Sequence, residues 1–181
     1  MIIFFGPAGA GKSVQGQILA ARYGWRWLST GQLLRDTKDP ELLHELSTGK
    51  LIDNDRTNKV LLEALQRSKD IAHVVIDGFP REFPQAQWLI DSIPQHGREI
   101  ALCVVLEVPH SEILHRLELR GRTDDTPKAI NQRLQIYRTQ IYPILGFLNE
   151  RGIPIVHIDG AGTVGVVHDR IVSELKACSL V

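Results

Sequence analysis

The sequence predicts an α/β protein of three layers, with a parallel sheet between two layers of helices and a phosphate site at the carboxyl ends of the strands. Three observations predict it. Short apolar runs suited to strands buried on both faces alternate with longer helical patterns. The first run, Ile2-Ile3-Phe4-Phe5, leads straight into Gly6-Pro-Ala-Gly-Ala-Gly-Lys-Ser13, which fits G-x-x-x-x-G-K-[ST]. A later run, Val74-Val75-Ile76, ends in Asp77-Gly-Phe-Pro-Arg81, with a carboxylate at the end of a buried strand and an arginine four residues on.

The elements follow in order. A strand over Met1–Phe5 precedes the glycine-rich loop, and a helix begins where that loop ends, over Lys12–Tyr23. Trp25–Leu28 is a weaker strand. From Ser29 to Ser68 no strong strand occurs, and the pattern gives helices at about Thr30–Thr37, Pro40–Leu46 and Asp55–Ser68. Ala72–Ile76 is a strand, followed by a helix over Pro84–Ile93 and a third strong strand over Ile100–Val108. Helices at His110–Leu119 and Pro127–Arg151 flank a polar, charge-rich turn, Arg120–Pro127. The last strand, Ile153–Ile158, runs into the turn cluster Asp159-Gly-Ala-Gly162, and a helix over Val164–Ala177 closes the chain. The stretch after Ser29 and the turn after Arg120 break the alternation, so each is a candidate flap over the site.

With 181 residues, 43% hydrophobic and 23% charged, the chain suits one domain with a sizeable core. Lysine plus arginine equals aspartate plus glutamate at 21 each, so no global basic field collects nucleic acid or an anionic membrane. Met1 opens directly into a strand and no apolar run reaches membrane-spanning length, so a cytoplasmic location is expected. No exposed heptad or edge motif suggests self-association, and a monomer is expected. Cys103 and Cys178 have no C-x-x-C spacing and are expected to be buried thiols.

The glycine-rich loop has a physical rationale. A triphosphate needs many donors in a small volume, and backbone N–H groups supply them without bulk, here from Ala8, Gly9, Ala10 and Gly11. The helix starting near Lys12 adds its positive dipole end to the lysine charge, while the Ser13 hydroxyl is free for magnesium. Asp77 is placed to hold magnesium waters opposite Ser13. Read alone, Asp77–Arg81 would be a solvated turn with a capping aspartate.

With D-G-[FY]-P-R intact at Asp77–Arg81, the chain resembles the adenylate kinase family of nucleoside monophosphate kinases over essentially its whole length. The resemblance implies a five-stranded parallel sheet in the order 2-3-1-4-5 and a single kinase domain over 1–181. It also implies two inserted flaps, an AMP flap at about 29–58 and a very short lid at about 119–127. Ser29-Thr30-Gly31-Gln-Leu-Leu-Arg35 looks like S-T-G-x-[LM]-L-R, whose threonine and arginine bind AMP. Gly49-Lys50-Leu51-Ile52 is similar to the G-x-L-V stretch that walls the AMP adenine, and Gln85 matches the glutamine that reads its edge. Gly78, Phe79 and Arg81 fall at AMP positions, and Asp159–Gly162 looks like the loop closing over the ATP adenine. Arg116, Arg120 and Arg122, with Arg133 eleven residues after Arg122, are similar to the lid arginines. Arg116, Arg120 and Gly162 fall on the ATP side, Arg122 and Arg133 on the AMP side.

The resemblance thus implies transfer of a phosphoryl group from Mg-ATP to AMP, giving two ADP, with Lys12, Asp77, Arg81, Arg120, Arg122 and Arg133 as catalytic groups. Phosphoryl transfer gathers several negative oxygens, and converging guanidiniums suit that task. Solvated arginines paired with Glu118, Asp124 and Asp125 are the alternative reading of the cluster. Departures from the family pattern are a trimmed AMP flap, a lid with only Gly121 between two arginines, and Asp53 and Arg56, to which no role attaches. Alternatives from the same residues are a kinase of CMP, UMP or dTMP and an ATPase acting as a switch or assembly factor.

Overall fold

In the computed structural model, which describes residues 1–122 and 124–181, five parallel strands form one sheet in the order β2-β3-β1-β4-β5. The strands are β1 (Ile2–Phe5), β2 (Arg26–Ser29), β3 (Val74–Asp77), β4 (Leu102–Glu107) and β5 (Ile155–Asp159). Thr123, within the expected lid, lies outside the described residues. The order is the expected one, and β1 sits at the centre because it is apolar at every position and buried on both faces.

Strand alternation divides the core in two. Ile3 and Phe5 of β1, with Val74, Ile76, Cys103 and Val105, face helices α4 (Asn54–Gln66), α5 (Phe83–Ser92) and α7 (Pro127–Asn149). Ile2, Phe4, Val75, Leu102 and Val104 face α1 (Lys12–Tyr23) and α8 (Val164–Ala177). Leu34, Leu42, Leu46 and Ile52 make a separate small core beneath α2 (Thr30–Asp36) and α3 (Pro40–Thr48). Ile113 and Leu117 of α6 (His110–Arg120) pack with Leu134 and Ala8, so the glycine-rich loop rests on α6.

Local chemistry explains where the elements begin and end. The Asp53 side chain accepts from the N–H groups of Asp55 and Arg56 and so starts α4, which gives this residue a capping role. Arg56 pairs with Glu41 at 3.3 Å, an exposed tie from α4 to α3. α5 passes into a 3-10 turn over Ile93–His96, where Pro94 has no N–H to continue the helix. One expectation is corrected: Cys103 is buried in β4, but Cys178 is exposed at the cap that ends α8, beyond Leu175, the last buried residue of that helix. Burial pushes the Cys103 thiol up to about 12. Among the described residues, no helix is long and apolar enough to cross a membrane.

Candidate active site

Register brings the first two parts of the site together. Phe4 of β1 lies opposite Asp77 of β3, so the glycine-rich loop and the aspartate leave the sheet side by side. Asp77 is buried, and the Ser13 hydroxyl donates to its Oδ2 at 2.5 Å. Lys12 Nζ donates to the carbonyls of Gly6 and Pro7 at 2.7 and 2.9 Å, folded back over its own loop. Deep in the cleft, desolvation lowers the Lys12 pKa to about 8; Asp77 pulls it up and Arg81, Arg120 and Arg122 push it further down. Gly9 has φ +85°, and a Cβ there would sit 3.0 Å from Leu117 Cγ, so this close approach of loop to helix requires glycine.

Next to Asp77, one carbonyl organises the second part. Gly78 O accepts from the Thr30 hydroxyl at 2.8 Å and from Arg81 Nε at 2.7 Å. The Arg81 N–H donates to Gln85 Oε1 at 2.8 Å, and Gln85 Nε2 donates to Asn54 Oδ1 at 2.7 Å. Thr30 and Gln85 are both buried and brace the Gly78–Arg81 turn from beneath. Asn54 gave no signal of its own in the sequence.

The arginines converge on this floor. Arg120 makes a two-pronged pair with Asp125, both bonds 2.7 Å. Arg133 donates to Asp125 and Asp124 at 2.7 Å each and to Leu46 O at 3.1 Å. Arg35 of α2 reaches Asp124 at 3.7 Å, so one aspartate joins the α2 and α7 sides of the cleft. Burial works to raise the Asp125 pKa, but Arg120 and Arg133 together hold it below the ordinary aspartate value. Arg81 and Arg122 have no ion-pair partner among the described residues. Desolvation is the largest cause lowering both pKa values, joined by Arg133 and Arg35 at Arg81 and by Arg120 and Arg35 at Arg122.

Arg116 stands apart, pairing with Glu112 at 2.8 Å and donating to Gly160 O at 3.1 Å. It clamps the loop after β5, and Arg170 holds the other side of that loop through Asp159 O and Ala161 O.

These parts line one cavity of about 690 Å³. Ala8, Gly9, Ala10, Gly11, Lys12 and Ser13 border it, as do Arg35, Leu51, Asp77, Gly78, Phe79, Arg81, Arg116, Arg120, Arg122, Arg133 and Gly162. Thr30, Lys50, Ile52 and Gln85 do not: Ile52 is in the core beneath α2 and α3, and Lys50 is exposed. Ile136, Tyr137, Gln140 and Ile144 of α7 also line the cavity and were missed; they continue past Arg133 at helical spacing, the one signal available. Among the described residues, seven cationic side chains border the cavity against three acidic ones, Asp77, Glu112 and Asp124. In a chain of zero net charge, the positive charge is therefore gathered here.

The family model described as adenylate kinase matches residues 4–153. Among curated relatives, an adenylate kinase of Thermus thermophilus is 36% identical over 180 residues, covering 94% of each chain. An adenylate kinase of Bacteroides fragilis is 34% identical, covering 93% of this chain and 94% of its own. One of Mycobacterium leprae is 33% identical, covering 96% of this chain and 98% of its own.

Proposed function

The chain belongs to the adenylate kinase family, and from that premise we propose how its own residues carry the phosphoryl transfer. Its activity is that of a nucleoside monophosphate kinase, an ATP:AMP phosphotransferase giving two ADP. The observation carrying the residue assignment is the cationic cavity of an otherwise neutral chain, which joins the glycine-rich loop to the Asp77–Arg81 turn and to the arginines of α2, α6 and α7.

The donor triphosphate binds along Ala8–Ser13, where the backbone N–H groups and Lys12 replace its water. To reach it, Lys12 gives up the Gly6 and Pro7 carbonyls, both at the loop's edge. AMP lies on the other side of Asp77, its phosphate between Arg35 and Arg81 and its base against Leu51, with Gly78 and Phe79 as floor. Lys50 and Ile52 belong to the same wall through the chain on either side of Leu51. Thr30 and Gln85 act from beneath, by fixing the turn that aims Arg81. Arg120, Arg122 and Arg133 then meet the moving phosphoryl group from above. Negative charge spreads over its oxygens in the transition state, and preorganised guanidiniums stabilise that charge without reorganising. No protein nucleophile is needed.

Magnesium fits the residues present. The Ser13 hydroxyl and the Asp77 carboxylate are hard oxygen donors 2.5 Å apart beside the phosphate loop. Bound there with the triphosphate, the ion would neutralise phosphate charge; Ser13 and Asp77 would hold it, Asp77 partly through water.

Residues 29–58 and 119–127 act as the AMP flap and the lid of a single domain. Support comes from the separate small core under α2 and α3 and from Asp124, which links Arg35 to Arg133. A cytoplasmic monomer working on small nucleotides, without nucleic acid or membrane partners, fits the balanced charge. The test is ADP formation from ATP with a panel of nucleoside monophosphates. AMP should be strongly preferred and ADP formation should depend on it; equal rates with CMP or UMP, or a rate independent of any acceptor, would overturn this reading.

A further inference from the structure

Two residues outside the proposed catalytic set tie the phosphate end of the donor site to its base end. Gln15 is on the first turn of α1, two residues after Ser13; His168 is on α8, one turn after Val164. Both side chains are buried. Gln15 Nε2 donates to Val164 O at 2.9 Å, and its Oε1 lies 3.0 Å from His168 Nδ1.

The chemistry fixes every proton in this chain. A main-chain carbonyl only accepts, so the Gln15 amide N–H must face Val164 and its oxygen must face His168. That oxygen also only accepts, so His168 Nδ1 carries the hydrogen. The other ring nitrogen, Nε2, is buried with no partner among the described residues and holds a bare lone pair. Burial, and then the charge of Arg22, lowers the His168 pKa, which leaves the ring neutral at pH 7. Neutral histidine usually carries its hydrogen on Nε2, so the pair imposes the less common tautomer. An orphaned buried ring nitrogen is unfavourable, and keeping a polar chain there rather than an apolar contact calls for a return.

We propose that Gln15 and His168 are positioning residues for the donor nucleotide, setting the distance between the phosphate loop and the loop after β5 that receives its base. Val164 opens α8 and lines the cavity beside Gly162 and Thr163. Pulling Val164 O toward Gln15 fixes that first turn against the helix that carries Lys12 and Ser13. The gap between the two loops is then preset before ATP arrives, which lowers the ordering that binding must supply. AMP, on the far side of Asp77, does not use this gap. The inference rests on the donor assignment made above.

Three variants test it: His168→Leu, which removes the donor; Gln15→Met, which removes the whole link; and His168→Gln, whose amide N–H can stand in for Nδ1–H. ADP formation is measured with ATP varied at saturating AMP, and the reverse. KM for ATP should rise about tenfold in His168→Leu and Gln15→Met, the scale of one buried hydrogen bond. KM for AMP should stay within about twofold, and His168→Gln should restore most of the ATP value. Nitrogen-15 NMR of the parent at pH 7 should show His168 hydrogen on Nδ1. Hydrogen on Nε2 overturns the proposal. So does a fall in Tm with both KM values unchanged, or KM values that move together. Should His168→Leu fail to fold, Gln15→Met and the NMR spectrum decide it. If the parent makes no ADP from ATP and AMP, the kinase reading itself fails, and direct ATP dissociation constants of the same variants still judge the tether.

Discussion

Arg133 holds Asp124, Asp125 and the Leu46 carbonyl at once, so its guanidinium is aimed before any substrate binds. Arg81 is aimed likewise by Gly78 O and carries no ion pair among the described residues. Losing a preaimed cation in the transition state costs about 3 kcal/mol, so Arg81→Ala and Arg133→Ala should each lower turnover by roughly two orders of magnitude. Near-parental turnover in both would remove them from the mechanism. Lys12 makes a pH prediction. Its pKa of about 8 in the free protein lies below that of the unfolded chain, so the buried charge destabilises the fold fully below pH 8 and is relieved as pH rises past it. A bound triphosphate favours the charged form, so ATP affinity should fall as pH rises above about 8, with proton uptake on binding that grows from about pH 7.5 to 9. Calorimetry in buffers of different ionisation enthalpy reads that uptake, and none at about pH 9 would refute it. Residue identities were legible in the sequence, but partners were not. Arg116 pairs with Glu112, four residues back on the same helical face, whereas Glu118, two residues on, points to the other side of α6.

Between elements, Asp124 and Asp125 tie Arg35, Arg120 and Arg133 together in the free protein. Asp125 satisfies Arg120 from the end of α6 and Arg133 from α7, so Asp125→Asn should destabilise the free protein by roughly 2 kcal/mol, a fall in Tm of about 5 °C. Because its folded pKa is depressed, this contribution is present above the usual aspartate range and fades as pH falls below it. A bisubstrate analogue supplies the missing negative charge, so the Tm gap should narrow when it is bound. A gap that stays constant would show that the arginines do not trade carboxylate for phosphate. Gly49 ends α3 with φ +77°, and a Cβ there would fall 2.6 Å from Ala129 O at the start of α7. Gly49→Ala must push the α3 end off α7, at roughly 2 kcal/mol, and calorimetry that finds no loss would contradict this. Helix starts were readable where a cap or proline announced them, as at Pro40 and Thr163. The Gly49 approach to α7 was invisible, since it joins segments eighty residues apart in sequence.

On the scale of the whole molecule, the division of labour between floor and roof is plain. The floor comes from adjacent strands of a sheet buried on both faces, and its periodicity made it readable: the runs at Ile2–Phe5 and Val74–Asp77 locate the glycine-rich loop, Ser13 and Asp77 almost by themselves. The roof depends on long side chains of α2, α6 and α7 meeting at Asp124 and Asp125, for which periodicity says nothing. With only Gly121 between Arg120 and Arg122, the proposed lid has little chain with which to exclude water. ATP hydrolysis without AMP should therefore be readily measurable, more than a negligible fraction of the transfer rate. A negligible steady-state rate would show that the arginines and aspartates shield the site without a longer lid.

The turn at Gly121 has φ +57°, and beyond its two chain neighbours no described atom lies within 4 Å of where a Cβ would stand. Chain added at that point would grow outward into solvent, displacing nothing in the core and leaving the strands that hold Ser13 and Asp77 untouched. Gly121 is thus a point where inserted residues should be accepted at little cost to folding, and a series of insertions there would show by ATP hydrolysis whether chain length at this turn governs leakage to water.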